Sequence, residues 1–212
     1  MRYTRIPEQT IRRLPTYLRA LSYWAELGRS HLSSKDLADS VGGNAGQVRK
    51  DFSFFGEFGT PGVGYSVAVL MTQIKKILKL DVTKQVALIG VGNLGSAVLA
   101  YTGFARYGLE IVAAFDADEK KIGKKVKGIV VEPMKNVPTI QTRGVHMGIV
   151  AVPPGVAQEV VDTMIAAGVK GFLSFAACPL VVPKRVRVTH IDIGMDLASL
   201  PYFCAGPQVR RG

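Results

Sequence analysis

Three glycines in the run Gly90-Val91-Gly92-Asn93-Leu94-Gly95, with Asp116 following 21 residues after the last of them, are the residues best suited to holding a ligand. The first glycine permits a tight turn, the second lets the backbone approach a pyrophosphate, and the third allows close helix–strand packing. A helix opening at this turn presents free N–H groups to phosphate. The acid at that distance can accept both hydroxyls of a ribose and repels a 2′-phosphate, which favours NAD over NADP. Lys121 can approach the adenosine side, and Val152-Pro153 closes a later strand on the ligand edge.

A glycine turn alone is weak, so its flanks matter. Gln85–Ile89 reads as a buried strand, Leu94–Tyr107 as a helix, and Glu110–Phe115 as a second strand ending in Asp116. Strand, turn, helix, strand and acid together form the dinucleotide fingerprint. Further strands are expected at His146–Val152, Gly171–Phe175 and Arg187–Ile191, with a helix over Val156–Ala167. That alternation predicts a doubly wound α/β domain of parallel, Rossmann-like type. The five lysines between Lys120 and Lys127 read as an exposed charged loop.

Catalysis by such a domain requires a proton donor beside the nicotinamide and an anchor for substrate. Beyond the first strand–helix–strand unit there is no His–Asp or Lys–Tyr constellation, and Tyr101 has no paired base. The expectation is no enzyme. Cys178 and Cys204 suit a reducing compartment, and His31, His146 and His190 lack neighbours at metal-ligand spacing, so no metal is expected.

The first 80 residues follow a different pattern. Ile11, Leu14, Leu18, Leu21 and Ala25 repeat at helical spacing from about Pro7 to Leu27. Ser33 or Ser34 can cap a short second helix running to Val41, and Asn44 with Gln47 reads as a capping box for a third. Two short helices about a glycine turn form a helix-turn-helix. On a wheel of about 100° per residue, Val48, Phe52 and Phe55 of the third helix face inward, while Gly46, Arg49, Lys50 and Ser53 face outward. Arg49 can reach guanine or phosphate, Lys50 suits phosphate, and Gly46 lets the backbone near a groove; a merely solvated face is the alternative. Four glycines, a proline and four aromatics between Ser53 and Tyr65 predict a β-hairpin wing. A further helix is marked by Val67, Leu70, Met71, Ile74, Ile77 and Leu78.

The net charge is +11, with 12 Lys/Arg against 6 Asp/Glu in residues 1–80 and 15 against 10 in residues 81–212. Such charge attracts polyanions, although solubility or heat adaptation would also account for it. No apolar run approaches the roughly 18–20 residues of a membrane span. The basic Met1–Arg5 leads into no apolar signal core. A cytoplasmic protein with no membrane role is expected.

Gln47-Val48-Arg49-Lys50-Asp51-Phe52-Ser53-Phe54-Phe55-Gly56-Glu57-Phe58-Gly59, followed by Gly62-Val63-Gly64-Tyr65, strongly resembles the Rex family of redox-sensing transcriptional repressors. Arg12–Arg19 is similar to that family's first helix, and the glycine loop, Asp116 and Ile191-Asp192 extend the likeness over nearly the whole chain. The resemblance implies an N-terminal winged helix-turn-helix domain (1–80), a Rossmann NAD(H)-binding domain (81–194) and a short C-terminal helix and tail (195–212) making a homodimer contact. It implies that double-stranded operator DNA is held through Gly46, Gln47, Arg49, Lys50, Ser53, Gly59, Pro61 and Gly62. It also implies that NADH, as effector, releases the operator while NAD+ competes, and that Arg19, Tyr101 and Asp192 are switch residues. Family members end in a long helix swapped into the partner; here Pro201 interrupts that stretch and Gly206-Pro207 ends it, so a shortened or kinked element is expected. Two rival readings stay open: a small NAD-dependent dehydrogenase, and a Rossmann domain holding another nucleotide such as coenzyme A, against which Asp116 speaks.

Overall fold

The computed structural model describes residues 6–56, 58–60 and 62–204. The chain forms two compact units that divide after Val82.

In the first unit, α1 (Glu8–Glu26) buries Leu14, Tyr17, Leu18 and Leu21 along one stripe, leaving Pro15 exposed. β1 (His31–Leu32) leads to α2 (Ser34–Ser40), which Ser33 caps; the Ser33 hydroxyl accepts from the Asp36 N–H while the Asp36 carboxylate accepts from the Ser33 N–H. α3 (Ala45–Ser53) is capped by Asn44, whose side-chain oxygen accepts from the N–H groups of Gly46 and Gln47. The expected reciprocal box does not close there, because the Gln47 amide turns inward to Asp51. Val48 and Phe52 are buried as the wheel predicts, but α3 stops at Ser53, so Phe54 is buried and Phe55 only half so.

The wing is a three-stranded antiparallel sheet in the order β1, β3 (Gly64–Ser66), β2 (Gly59–Thr60), with Tyr65 opposite both Leu32 and Gly59. Gly64 has φ +94°, and a Cβ there would lie 2.5 Å from the Leu32 carbonyl oxygen, so only glycine fits. Phe52 is ringed by Tyr17, Tyr65 and Phe58, with centroids 5.4, 5.4 and 6.0 Å away. These aromatics anchor the wing to α1 and α3 without a large sheet. α4 (Val67–Ile77) completes the unit, packing Leu70 and Ile74 against α1.

The second unit is a seven-stranded sheet containing β4 (Lys84–Ile89), β5 (Leu109–Asp116), β6 (Lys125–Val126), β7 (Ile129–Pro133), β8 (Met147–Val150), β9 (Gly171–Ser174) and β10 (Arg187–His190). Its order is β10-β9-β8-β4-β5-β7-β6, parallel throughout except for β6 on β7. The order reverses between β4 and β8, the place where doubly wound sheets bind ligands. Alternate residues of β4 serve opposite layers. Ala87 and Ile89 pack with Val161 and Met164 of α6 (Pro154–Ala166), while Val86 and Leu88 pack with Val98 and Leu99 of α5 (Asn93–Ala100).

Two expectations are corrected in this unit. The predicted Leu94–Tyr107 helix is two pieces, since α5 ends at Ala100, Tyr101 is extended, and Thr102–Tyr107 winds as a 3-10 helix. The lysine run is not all loop: it turns into the β6–β7 hairpin at Lys127-Gly128, both with positive φ. A 3-10 helix over Met134–Arg143 joins β7 to β8, clasped by two hydrogen bonds from Arg143 to Glu132. The chain after the sheet is two short helices, α7 (Ile193–Ala198) and α8 (Leu200–Cys204). Pro201 falls in the first turn of α8, where its missing N–H costs nothing. Gly206-Pro207, and the basic end at Arg210-Arg211, lie outside the described residues.

Candidate nucleotide site and nucleic-acid face

At the β4/β8 reversal lies a cavity of about 860 Å³, inside the range of about 300–1,000 Å³ usual for ligand sites. Gly90, Gly92, Asn93, Leu94, Asp116, Lys121, Val152 and Pro153 all line it. Val91 and Gly95 do not, but they shape it from behind. Gly90 has φ +93°, and a Cβ there would collide with the Ala151 carbonyl oxygen. At Gly95 a Cβ would collide with the Gly90 carbonyl oxygen, so β4 and α5 meet only through glycine. Beside Gly92 a Cβ would meet nothing, leaving room for a phosphate to approach the backbone at the start of α5.

Asp116 is the buried charge of this cavity. Its Oδ2 accepts from the Val91 N–H at 2.7 Å and the Lys121 ammonium at 3.0 Å, and its Oδ1 accepts from the Asp118 N–H at 2.9 Å. Burial works against its charged form, but the Asp118 N–H, the Lys121 side chain and the Val91 N–H outweigh it and hold the carboxyl below its ordinary range. The carboxylate is thus charged at neutral pH and tied to the loop it must serve. Met134, Lys135, Glu159 and Thr163 also line the cavity and were not anticipated. The β-branched run Ile129–Val131 after Gly128 was the available signal for the strand that delivers Met134 and Lys135.

On the first unit, α3 and the wing share an open depression of about 710 Å³ lined by Arg49, Ser53, Gly59 and Gly62 among others. Gly46, Arg49, Lys50 and Ser53 are all exposed, as the wheel predicts. Arg49 is steadied by donation from its Nη1 to the Ser34 hydroxyl at 2.8 Å. Gln47 is placed differently from expectation: it is half-buried and its amide donates to Asp51 at 2.9 Å, away from the open face. Pro61 lies outside the described residues.

Arg19 is exposed on α1. Tyr101 is 58% exposed and lies over Gly103, edge-on to Phe104 at 5.0 Å. Asp192 caps α7, its Oδ1 accepting from the Met195 N–H at 3.0 Å. Among the described residues no three His, Cys, Asp or Glu side chains gather as a metal site, and no helix is long and apolar enough to cross a membrane.

A dinucleotide-type cavity in one unit and a winged helix-turn-helix in the other define a ligand-responsive transcription regulator. Residues 5–53 match a family described as putative DNA-binding protein N-terminus, and residues 81–178 match one described as CoA binding domain. A relative from Halalkalibacterium halodurans is 42% identical over 94% of this chain and 95% of its own length, and one from Carboxydothermus hydrogenoformans is 44% identical over 95% and 98%. Both are named redox-sensing transcriptional repressor Rex. The chain belongs to the Rex family, and it is a transcriptional repressor rather than an enzyme. Among solved structures it is similar to RSP, a Rex-family repressor. RSP in complex with β-NAD+ and operator DNA is 32% identical, with TM-score 0.86 over 95% of this chain and 94% of that one. RSP in complex with β-NADH is 31% identical, with TM-score 0.85 over 95% of each.

Proposed function

We propose that this chain binds operator DNA as a cytoplasmic homodimer and releases it when NADH occupies the second unit, so that repression follows the NADH/NAD+ ratio. The observation that carries the reading is the cavity at the β4/β8 reversal, with a charged Asp116 held against the glycine loop. There Gly90–Gly95 would take the pyrophosphate at the α5 N-terminus, and Asp116 would accept both ribose hydroxyls. Lys121 would flank the adenosine, with Val152 and Pro153 on the far edge. NAD+ would compete for the same place.

The DNA face is Gly46, Arg49, Lys50 and Ser53 with the wing residues Gly59, Pro61 and Gly62; Gln47 serves it from behind. Residues 1–80 act as the DNA-binding domain and 81–194 as the NAD(H) domain. Residues 195–212 provide the subunit contact. Support for the last comes from the apolar side chains of α7 and α8 left exposed in the single chain, including Met195, Tyr202 and Phe203 at 73, 83 and 74%. Arg19, Tyr101 and Asp192 form the switch, with Asp192 exchanging partners between the other subunit's Arg19 and the Tyr101 hydroxyl. A preference of NADH for one conformer by about 100-fold shifts the balance by about 2.7 kcal/mol, enough to control occupancy of a site.

The coenzyme A description of the matched family model gives a second reading a concrete form. One titration separates them: labelled operator duplex with bound protein is challenged with NADH, NAD+, NADPH and coenzyme A. Release by NADH alone is expected. Equal release by NADPH removes the role assigned to Asp116, release by coenzyme A alone installs the second reading, and release by none refutes both.

A further inference from the structure

Among the described residues of the first unit, Asp51 accepts five side-chain hydrogen bonds, and it faces away from the open side of α3. It is fully buried. Its Oδ1 accepts from the Thr10 hydroxyl at 2.9 Å, Arg13 Nη2 at 2.6 Å and the Gln47 amide at 2.9 Å. Its Oδ2 accepts from Arg13 Nε at 2.6 Å and the Tyr17 hydroxyl at 2.8 Å. Thr10, Arg13 and Tyr17 stand one turn apart on α1, while Gln47 and Asp51 stand one turn apart on α3.

We propose that Asp51 is the positioning residue for operator readout: it sets the rotation of α3 on α1, and so aims Arg49 and Lys50 at the bases and phosphates. The proposal rests on the reading of α3 as the recognition helix.

The physical reason is directional. Val48 and Phe52 hold α3 to the core, but apolar packing is non-directional and tolerates small rotations. A guanidinium fork on a carboxylate does not, since both N–H groups must point along its oxygens. α3 with its side chains has a radius of about 5–6 Å, so a rotation of about 20° carries an outward tip through about 2 Å. That displacement takes a hydrogen bond of about 2.9 Å out of range. Five donated bonds to one buried group therefore convert a helix that is merely packed into one that is aimed. Such an ion pair contributes little to net stability compared with an apolar pair of the same size, and its use lies in selecting one arrangement. Gln47 joins this hub, which explains why a side chain near the N-terminus of the helix turns inward.

The test compares a duplex enriched from a random pool by the wild-type protein with a scrambled duplex of equal length, well below the melting temperature. If the wild type does not discriminate between them, the recognition-helix reading itself fails, before any variant is considered. Given discrimination, Asp51→Asn keeps the shape but offers Arg13 only a neutral partner. The selected duplex is expected to bind at least about 10-fold more weakly, while the scrambled duplex, held by Arg49 and Lys50 as point charges, changes little. A structural role alone would lower the melting temperature and leave the ratio of the two affinities unmoved; that result overturns the proposal. Should Asp51→Asn fail to fold, Arg13→Lys decides, because Arg13 is partly exposed and lysine keeps the charge but loses the fork. Its ratio is expected to fall in the same sense, and an unchanged ratio overturns the proposal. NADH affinity, read in parallel, should match wild type in both variants.

Discussion

Replacing Asp116 by Ala tests the ligand assignment most directly. In the structure its carboxylate accepts from two backbone N–H groups and the Lys121 ammonium, with distances of 2.7–3.0 Å. A bound ribose would offer it two hydroxyls, each hydrogen bond to a charged group contributing about 1.5–3 kcal/mol. Because the carboxylate is already shared with three donors, the lower end applies to each, and the loss is about 3 kcal/mol. That corresponds to roughly 100-fold weaker NADH binding. The same substitution releases Lys121, which then becomes available to a 2′-phosphate, so NADPH should gain where NADH loses. Titration calorimetry with both nucleotides measures the swing, and operator release in a mobility assay reads its consequence: a repressor that no longer responds to NADH. An NADH affinity equal to wild type in a folded Asp116→Ala protein would refute the ribose assignment. A parallel fall for both nucleotides would instead mean that the Val91 turn has collapsed without its acceptor.

Arg49→Ala should weaken operator binding by about 1–3 kcal/mol and relax its sequence preference, and Lys50→Ala should lower the salt slope by about one; both should leave NADH affinity intact, and a joint fall would indicate misfolding. Gly95→Ala drives a Cβ into the Gly90 carbonyl oxygen. It should cost at least about 3 kcal/mol of stability and abolish NADH binding; a melting curve like the wild type's would contradict the close β4–α5 approach. The Asp51 carboxyl is held below its ordinary range, because donation from Arg13, Tyr17, Thr10 and Gln47 outweighs the effect of burial. Its stabilising contribution is therefore complete above a pH of about 3.9 and is lost as pH falls through the lower folded-state value. The stability gap between wild type and Asp51→Asn should close under acid conditions, and a constant gap from pH 6 to pH 3 would count against it. Truncation after Asp192 removes the exposed apolar helices and should yield monomers in sedimentation, with weaker operator binding; an intact dimer would move the interface elsewhere.

Much of the site was legible because it rests on local rules. A glycine turn between a buried strand and a helix, with an acid after the next strand, has few other uses, and Gly90, Gly92 and Asp116 meet at one cavity accordingly. The outward face of α3 was readable from a single helical wheel. Phe55 is only half-buried where the wheel places it in the core, because α3 ends at Ser53 and the chain has already turned toward the wing. The break at Tyr101 was hidden because apolar spacing alone does not distinguish one helix from a helix followed by a 3-10 turn. Lys135 and Glu159 were missed for a different reason: nothing local marks a residue that lines a cavity through a strand order.

What the sequence determined by itself was therefore the inventory: a helix-turn-helix with a basic outer face, a glycine-rich wing, and a dinucleotide fingerprint without catalytic partners. Periodicity and glycine placement suffice for these because each depends on neighbours a few residues away. Only the tertiary structure decided how the parts bear on one another. Nothing in the spacing around Asp51 marks it out, yet it is the buried acceptor that joins α1 to α3, across separations of 34 to 41 residues. A carboxylate's environment is set by what folds against it, and no spacing along the chain records which donors will arrive.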